Sequence, residues 1–419
     1  MKKIKAQKID SCQVTVPGSK SYTHRVLIAA ALADGESDLK NALISEDTQY
    51  TIQALKQMGI QIAVNGTNVR VDGKGGRLEP SAGPIFLGNS GTSMRLLTGV
   101  AALGNSPYTL TGNARMQERP IQDLLDALQQ MEVQARSVKG NGCPPVEVIG
   151  ARINANKVSI NCQSSSQYLS ALLLMAPLTP EGLNIQVVGG LVSKPYIDMT
   201  VTLMESFGIA LARKDCQEFN IPGGQSYRAG EYVIEADCSQ AAYFWSAAAI
   251  GGMDIKVMGV NPDSIQGDVR FADLLQQMGC RIFKASDGIT VAGGPLKAIE
   301  ADLGDMPDQV PTLAVVAAFS KGTTVIKNVA HLKSKESDRL AATVTELNKM
   351  GIDARCTASA LIVKGGQPQG SVVDTYNDHR IAMSFAIAGL KVPGVCIRNE
   401  GCVEKSFPTF WQVFEGLYQ

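Results

Sequence analysis

Hydrophobic and polar positions follow one another along this 419-residue chain in a pattern that occurs six times. In each repeat a polar turn opens a run of Ala, Leu and Ile residues, such as VLIAAALADG or LLTGVAALGN. The turns lie 69 to 74 residues apart, near Ser19, Ser90, Ser164, Cys238, Asp308 and Asn377. A fixed period of this kind is typical of an internal repeat, so we expect six similar pieces.

A second pattern lies between these runs and predicts another helix. In QYTIQALKQMG, Ile52, Leu55 and Met58 follow one another at three-residue steps, and Gly59 ends the helix. An alternating segment, IQIAV, then predicts a strand. The Ala-rich runs are apolar nearly all round, which predicts helices that are buried on every side. We therefore expect inside-out α/β domains, with sheets outside and helices within.

The length of the chain predicts two domains, because one hydrophobic core rarely serves 419 residues. Six repeats divide into two sets of three, and the Gly- and Pro-rich segment 220–232 lies between the sets. We expect a first domain over 18–228 and a second over 1–17 plus 229–419, completed by the amino-terminal strand KIDSCQVTV. Two crossings, near Pro17 and Arg228, would form a hinge and a cleft that can close.

Composition and charge exclude several classes of protein. The chain has 39 basic and 39 acidic residues, whereas nucleic-acid and membrane-surface proteins need a basic excess. The first residues lack the apolar core of a signal peptide, and no apolar run is long enough to span a membrane. Nine scattered cysteines without a C-x-x-C motif predict reduced, buried thiols. We therefore expect a cytoplasmic protein that binds neither nucleic acid nor membranes.

The polar turns are candidate anion sites. Buried helix amino termini carry partial positive charge and attract anions if they face a common cleft. The alternative is that the turn residues only cap their helices. Lys20 and Arg25 fall in the first turns of a helix, where a cation is unfavourable unless an anion compensates it. Gly88 and Gly91 allow the backbone to approach a ligand closely.

Further charged or hydroxyl-bearing residues recur at equivalent turns: Arg115, Arg119, Ser164 to Gln167, Ser193, Lys194, Tyr196, Asp308, Lys333, Lys335, Glu336, Asp338, Arg339, Asp378, His379, Arg380 and Lys405. A charged run such as KSKESDR is more often a solvated surface, but the recurrence favours an assembled anion site. Phosphate-loop, dinucleotide and H-E-x-x-H motifs do not occur. We therefore expect a reaction between anionic small molecules that uses no metal and no cofactor.

The motifs PGSKS, LGNSGTSMR, RMQERP, SSQ, SKPY, KESDR and YNDHR span the chain in this order. In sequence and order they resemble the 5-enolpyruvylshikimate-3-phosphate (EPSP) synthase family. The resemblance implies two inside-out α/β domains, each of three βαβαββ repeats. It implies transfer of the enolpyruvyl group of phosphoenolpyruvate to the 5-hydroxyl of shikimate 3-phosphate, with release of phosphate, on the shikimate pathway to chorismate. We expect the chain to act as a monomer.

The resemblance also assigns site residues. Those similar to shikimate 3-phosphate contacts are Lys20, Ser21, Arg25, Ser165, Ser166, Gln167, Ser193, Tyr196, Asp308 and Lys335. Those similar to phosphoenolpyruvate contacts are Lys20, Gly91, Arg119, Gln167, Arg339, Arg380 and Lys405. Asp308 resembles the base that accepts the proton of the attacking hydroxyl, and Glu336 the acid at the methylene carbon. Lys20, His379 and Lys405 are implied to assist them.

The chain departs from the usual family pattern at five positions, where it has His24, Ser90, Ser93, Leu96 and His331. Two other interpretations stay open. A UDP-N-acetylglucosamine enolpyruvyl transferase shares the fold and the donor, but normally has a loop cysteine that NARMQERP lacks. A non-enzymatic anion-binding scaffold would bind both substrates without releasing phosphate.

Overall fold

A computed structural model describes residues 1–150, 153 and 155–418. It divides the chain into two compact units. We call residues 20–234 the first unit, and residues 1–19 together with 235–419 the second unit. These boundaries lie two and six residues further along the chain than the predicted ones. The Gly- and Pro-rich segment 220–232 therefore belongs to the first unit, where strands at both of its ends pair with other strands.

The helices of the described residues are numbered in chain order. They are α1 (Lys20–Leu32), α2 (Glu46–Gln57), α3 (Gly91–Ala101), α4 (Gln122–Gln130), α5 (Gln167–Met175), α6 (Pro195–Ser206), α7 (Cys238–Gly251), α8 (Phe271–Gln277), α9 (Val310–Ala317), α10 (Arg339–Lys349), α11 (His379–Gly389) and α12 (Phe410–Gly416). The predicted turns are confirmed as helix starts, because α1, α3, α5, α7, α9 and α11 each begin within three residues of one.

The strands are β1 (Lys2–Lys3), β2 (Cys12–Thr15), β3 (Asp34–Lys40), β4 (Gln61–Asn65), β5 (Asn68–Lys74), β6 (Ile85–Phe86), β7 (Pro107–Thr111), β8 (Gln134–Ser137), β9 (Val146–Ile149), β10 (Lys157–Cys162), β11 (Leu183–Leu191), β12 (Ala212–Lys214), β13 (Glu218–Ile221), β14 (Glu231–Val233), β15 (Asp254–Met258), β16 (Arg281–Ala285), β17 (Gly288–Ala292), β18 (Glu300–Asp302), β19 (Thr323–Lys327), β20 (Ala354–Cys356), β21 (Leu361–Lys364), β22 (Val372–Val373) and β23 (Cys396–Ile397). Short 3₁₀ turns cover Met116–Glu118, Ala176–Leu178, Gly267–Arg270, Pro307–Gln309, Ala330–Ser334 and Glu400–Lys405.

One sheet topology recurs throughout the chain. In the order β6-β7-β9-β8, β6 and β7 run parallel, and β9 joins antiparallel to both β7 and β8. Helix α3 connects the parallel pair, and α4 connects β7 to β8. The same arrangement builds β10-β11-β13-β12 and β18-β19-β21-β20. These are the βαβαββ repeats that the resemblance implied.

Two repeats obtain their first strand from elsewhere in the chain. The sheet β14-β3-β5-β4 of the first unit takes β14, which lies just before the carboxyl-terminal boundary of that unit. The sheet β16-β17-β15-β2 of the second unit takes β2, the amino-terminal strand, which runs parallel to β15. In the last repeat, β23 runs parallel to β22 and antiparallel to β1.

The Ala-rich helices form the core of each unit. In α7, every residue from Cys238 to Ile250 is buried, and in α9 every residue from Val310 to Ala317. The sheet strands instead alternate between buried and exposed positions, as in the pattern of β5 or β9. The expected arrangement of helices within and sheets outside is confirmed for each unit.

All nine cysteines are free thiols, but only Cys162, Cys238 and Cys280 are buried. The prediction of buried thiols is therefore wrong for the other six, of which Cys356 is exposed. It lies at the end of the outer strand β20, where side chains point to solvent. Among the described residues, no helix is long and apolar enough to cross a membrane.

The burial of α5 predicts a large cost for shortening one of its side chains. Leu172 is fully buried, so Leu172→Ala should lower the free energy of unfolding by about 2–5 kcal/mol. Val188→Ala, on a strand position that is 41% exposed, is the control and should cost less than about 1 kcal/mol. Urea denaturation measures both. Equal losses for the two variants would contradict the buried position of α5.

Candidate active site

In the first unit, Lys20 opens α1 and Asp47 lies in the first turn of α2. The Lys20 ammonium group (Nζ) is 3.1 Å from Asp47 Oδ2, and both side chains are largely buried. A buried cation needs a nearby carboxylate to offset its loss of hydration. The pair therefore joins the amino-terminal turns of the two helices at the point where the sequence predicted an anion site.

Arg25 lies one turn further along α1 and is buried. Its Nε donates to Thr200 Oγ1 at 2.7 Å, and its Nη2 donates to Ser170 Oγ and to the Tyr196 carbonyl, both at 3.2 Å. Its Nη1 donates to the Ser21 carbonyl at 3.0 Å. Burial lowers the pKa of Arg25 to about 10, although the neighbouring Tyr196 opposes this. Arg25 therefore joins α1 to α5 and α6, and brings the Ser21 and Tyr196 turns together.

The serine-rich turn before α5 contributes hydroxyl and amide groups. Ser165 Oγ accepts from the Gln167 backbone N–H at 3.2 Å, and Gln167 Nε2 donates to Thr92 Oγ1 of α3 at 3.0 Å. Ser166 is buried in the same turn. The structure thus connects the starts of α5 and α3.

Ser193, just before α6, has the signature of a ligand contact. Its backbone has φ of 57°, which is uncommon for a residue other than glycine. Its Oγ is buried and has no hydrogen-bond partner among the residues that the structure describes. Because nearly all buried hydroxyls are hydrogen-bonded, this one is available to a ligand oxygen.

Two arginines surround Gly91 at the start of α3. Arg119 Nη1 donates to the carbonyl and side-chain oxygens of Asn89, at 2.9 and 3.0 Å. Arg95 Nη1 donates to the Gly91 carbonyl at 3.3 Å. A Cβ atom at Gly91 would lie 2.5 Å from Arg119 Nη2 and 2.7 Å from Arg95 Nη1. Only glycine leaves room for both guanidinium groups beside this helix terminus.

In the second unit, the buried guanidinium group of Arg339 holds three carboxylates. Its Nη1 is 2.7 Å from Asp308 Oδ1, its Nη2 is 2.7 Å from Glu336 Oε2, and its Nε is 2.8 Å from Asp378 Oδ2. Burial alone would lower the pKa of Arg339, but these carboxylates raise it well above its usual value. The two residues predicted to be the base and the acid, Asp308 and Glu336, are thus attached to one cation.

Arg380 supplies a second cation to Asp308. Its Nη2 is 2.8 Å from Asp308 Oδ2, and its Nη1 donates to Tyr243 OH at 3.1 Å. Burial raises the pKa of Tyr243 to about 12, although Arg380 opposes this, so the phenol stays neutral. Asp378 accepts from the Arg380 backbone N–H at 2.9 Å and caps α11. Asp308 is therefore bonded to one arginine through each of its oxygens.

The remaining predicted site residues of the second unit differ in how far they are buried. His379 is buried, with Nδ1 3.7 Å from Asp378 Oδ1, and Lys405 is buried in the 3₁₀ turn before α12. Lys335 is partly buried beside Glu336 in the chain. Burial, and then the charge of Lys335, lower the pKa of His331 to about 3, so His331 is neutral at physiological pH.

Comparison with known proteins identifies the family. The sequence model described as "EPSP synthase (3-phosphoshikimate 1-carboxyvinyltransferase)" matches residues 4–414. A protein from Syntrophobacter fumaroxidans named 3-phosphoshikimate 1-carboxyvinyltransferase is 43% identical over 408 residues, covering 97% of this chain and 96% of the relative. One with the same name from Shewanella sediminis is 41% identical and covers 100% of both chains. The chain belongs to the EPSP synthase family.

Solved structures agree with this membership. The EPSP synthase of Acinetobacter baumannii is 28% identical and superposes with a TM-score of 0.82, over 100% of this chain and 98% of that one. The enolpyruvyl transferase NikO of Streptomyces tendae has a TM-score of 0.80 over 99% of this chain and 96% of that one, and at 21% identity it shows the fold alone. The predicted family and fold class are confirmed.

Several polar residues of this EPSP synthase family member were not among the predicted site residues. Arg95 lies in the motif LGNSGTSMR, and Asp378, named above only among the recurring charged residues, lies in YNDHR. Asp47 lies outside the motifs. All three could have been found by asking what balances each buried charge. Tyr243 lies within an apolar helix run and looks like a core residue in the sequence. Asp268, which follows a glycine in the 3₁₀ turn Gly267–Arg270, gives no sequence signal.

Asp268 is a fully buried carboxylic acid near the arginine-bound Asp308. Ser239 Oγ donates to its Oδ2, whereas its Oδ1 has no partner among the described residues. Burial, and then the negative charge of Asp308, raise its pKa to about 7, against the opposing effects of Ser239 and Arg380. The negative charge of Asp237 also raises it.

The raised pKa of Asp268 predicts a pH-dependent stability. Its stabilising contribution is complete below the unfolded-state pKa and is lost as the pH rises to 7, because the carboxyl ionises in the unfolded chain over this range while the buried carboxyl keeps its proton. Relative to Asp268→Asn, the wild type should therefore lose about 2–3 kcal/mol of unfolding free energy between pH 5 and pH 8. Urea denaturation at both values measures this, and the exposed Asp263→Asn is the control. A pH-independent difference between wild type and Asp268→Asn would refute the raised pKa.

Proposed function

We propose that this protein catalyses transfer of the enolpyruvyl group from phosphoenolpyruvate to the 5-hydroxyl of shikimate 3-phosphate, using the residues described above. Family membership supports the reaction. The assignment of roles rests above all on one observation, the joint contact of Arg339 with Asp308, Glu336 and Asp378. We also propose that it works in the cytoplasm, and that it works as a monomer because one chain supplies every residue invoked.

The groups of the first unit suit shikimate 3-phosphate. Ser165, Ser166 and Ser193 offer hydroxyls, Gln167 offers an amide, and Lys20 offers a positive charge. The hydroxyl of Ser193, which has no hydrogen-bond partner within the described part of the chain, is suited to donate to a phosphate oxygen. Ser21 and Tyr196 are held beside these groups by Arg25. We assign Arg25 and Lys335 to the same substrate because a phosphate needs several cations.

The carboxylate and phosphate groups of phosphoenolpyruvate are suited to bind arginine side chains. Arginine forks match carboxylate and phosphate oxygens, and each charge-assisted hydrogen bond contributes about 1.5–3 kcal/mol. We assign Arg119 and the backbone at Gly91 to this substrate, together with Arg339 and Arg380. Lys20, Gln167 and Lys405 supply further donors. On binding, the substrate anion competes with Asp308 for Arg339 and Arg380, which would free the carboxylate to act as a base.

The addition step needs a base and an acid at the same time. The 5-hydroxyl oxygen attacks C2 of phosphoenolpyruvate and its proton passes to the Asp308 carboxylate. The double-bond electrons take a proton from the Glu336 carboxylic acid at C3, which becomes a methyl group. Arg339 contacts both residues, so it can stabilise the negative charge on either side of this exchange.

In the elimination step Glu336 acts as a base instead of an acid. The bond from C2 to the phosphate oxygen breaks, and phosphate leaves with the bonding electrons and takes up the proton that Asp308 received in the addition step. The Glu336 carboxylate removes a proton from the methyl carbon and so restores the enolpyruvyl double bond. Lys20, Lys405 and His379 are assigned to the leaving phosphate and to the developing charge, because cations stabilise a departing anion.

Of the two alternative interpretations, the scaffold predicts that both substrates bind and no phosphate is released. The UDP-N-acetylglucosamine transferase predicts activity with the other acceptor. Assay of phosphate release with each acceptor separates all three. The relatives cited above carry the name of the shikimate enzyme, which supports that acceptor.

Single replacement of the proposed cation, base and acid should abolish most of the activity. Lys20→Met, Asp308→Asn and Glu336→Gln are each expected to lower kcat for phosphate release by at least about a hundredfold, the usual effect of losing an acid or base. Asp353→Asn, an exposed carboxylate of the second unit, is the control and should retain full activity. Near-normal release in all three variants would refute the assigned roles.

A methyl group at Gly91 should weaken the binding of phosphoenolpyruvate. Gly91→Ala places its Cβ against Arg119 and Arg95, so Arg119 must move away from the start of α3. Displacing one charge-assisted donor should raise the KM for phosphoenolpyruvate about tenfold. Gly83→Ala is the control, because no atom lies within 4 Å of its added Cβ. An unchanged KM in Gly91→Ala would contradict the assignment of Arg119 to phosphoenolpyruvate.

A further inference from the structure

A buried chain of hydrogen bonds joins the first three helices of the first unit. His24 Nδ1 on α1 is 2.8 Å from Thr51 Oγ1 on α2, and Thr51 Oγ1 is 2.8 Å from Ser93 Oγ on α3. Ser93 Oγ is in turn 2.7 Å from Ser90 Oγ, which caps α3. All four side chains are fully buried.

The chain of hydrogen bonds lies beneath the groups assigned to substrate. His24 follows Lys20 by four residues on α1, and Thr51 follows Asp47 by four residues on α2. Residues four apart share one face of a helix, so the His24–Thr51 bond repeats the Lys20–Asp47 ion pair one turn deeper. Ser93 Oγ also donates to the Asp47 carbonyl at 3.3 Å.

The last member of the chain touches the phosphoenolpyruvate site. Ser90 precedes Gly91 directly, and its Oγ accepts from the Ser93 backbone N–H at 3.5 Å. The position of the α3 terminus relative to Lys20 is thus fixed through side chains on three helices. Three of the four members, His24, Ser90 and Ser93, are positions where this chain departs from the usual family pattern.

Each hydroxyl in the chain has one hydrogen. Because Ser93 gives its hydrogen to the Asp47 carbonyl, Thr51 and Ser90 must both donate to Ser93 Oγ, and His24 Nδ1 must donate to Thr51 Oγ1. Removing any one hydroxyl leaves a neighbour without its buried partner. Removing two hydroxyls should therefore raise the KM for phosphoenolpyruvate by less than the product of the two single increases. An array that served only to pack helices would be replaced by apolar side chains of similar shape at little cost.

We propose that the His24–Thr51–Ser93–Ser90 chain is a positioning network, which holds the opening turn of α3 at the distance from Lys20 that phosphoenolpyruvate requires. None of these four side chains needs to touch the substrate. The inference rests on the proposed function, because it assigns Lys20 and Gly91 to that substrate.

The test compares Thr51→Val, Ser93→Ala and the double variant with wild type. For each protein, KM for phosphoenolpyruvate, kcat and the melting temperature are measured at saturating shikimate 3-phosphate. Thr98→Val is the matched control: Thr98 is also fully buried on α3, but its hydroxyl donates to the Met94 carbonyl of its own helix. Thr51→Ser keeps the hydroxyl and is a second control. If Thr51→Val does not fold, Ser93→Ala tests the inference by itself.

Each single variant is expected to raise the KM for phosphoenolpyruvate about fivefold, the scale of one lost hydrogen bond, and to change kcat less. The double variant should show about the same fivefold increase. Thr98→Val and Thr51→Ser should keep the wild-type KM. The inference would be overturned if the KM for phosphoenolpyruvate were unchanged in folded Ser93→Ala and Thr51→Val. It would also be overturned if the two increases in KM multiplied in the double variant, or if Thr98→Val raised KM equally. If wild type itself releases no phosphate, the proposed function fails instead.

Discussion

One buried guanidinium group organises the candidate active site of the second unit. Arg339 contacts Asp308, Glu336 and Asp378 at 2.7 to 2.8 Å, while Arg380 contacts the second oxygen of Asp308. Three carboxylates this close would repel one another strongly without a shared cation. The cation in turn could not be buried without carboxylates around it. The proposed base and acid are therefore held together by the same guanidinium group that we assign to phosphoenolpyruvate.

The repeat explains how these residues meet. Asp308 lies in the turn before α9, Arg339 opens α10, and Asp378 caps α11. Each is a helix-terminal residue, and α9 and α11 are buried helices of neighbouring repeats whose Thr312 and Ser384 side chains are 3.0 Å apart. In the first unit, α1, α2 and α3 converge in the same way on Lys20, Asp47 and Gly91. Chemistry in this fold is thus concentrated where polar turns enter apolar helices.

The sequence predicted these turns well because the repeat itself is visible in it. The positions near Ser19, Ser90 and Asn377 are followed at once by α1, α3 and α11. It predicted the boundaries between the units less well. The strand β14 pairs with β3, nearly two hundred residues earlier, and the local sequence does not predict that pairing. The Gly- and Pro-rich segment before β14 is a connection inside a unit.

Side-chain partners were the hardest feature to predict. Arg380 contacts Tyr243, 137 residues away, and Tyr243 lies in a helix whose residues are mostly apolar. The raised pKa of Asp268 depends on burial and on the charge of Asp308, neither of which has a local signature. The motifs identify which residues take part, whereas the three-dimensional packing decides what each one contacts.

The central claim is that Glu336 gives a proton to the methylene carbon of phosphoenolpyruvate and later takes one back, while Asp308 serves the hydroxyl. Running the reaction in D₂O and locating deuterium in the enolpyruvyl product by NMR tests this most directly. The methyl group formed in the addition step would contain one deuterium, and loss of a proton would leave deuterium in the product methylene. Product whose methylene carries only hydrogen from the original phosphoenolpyruvate would contradict the account.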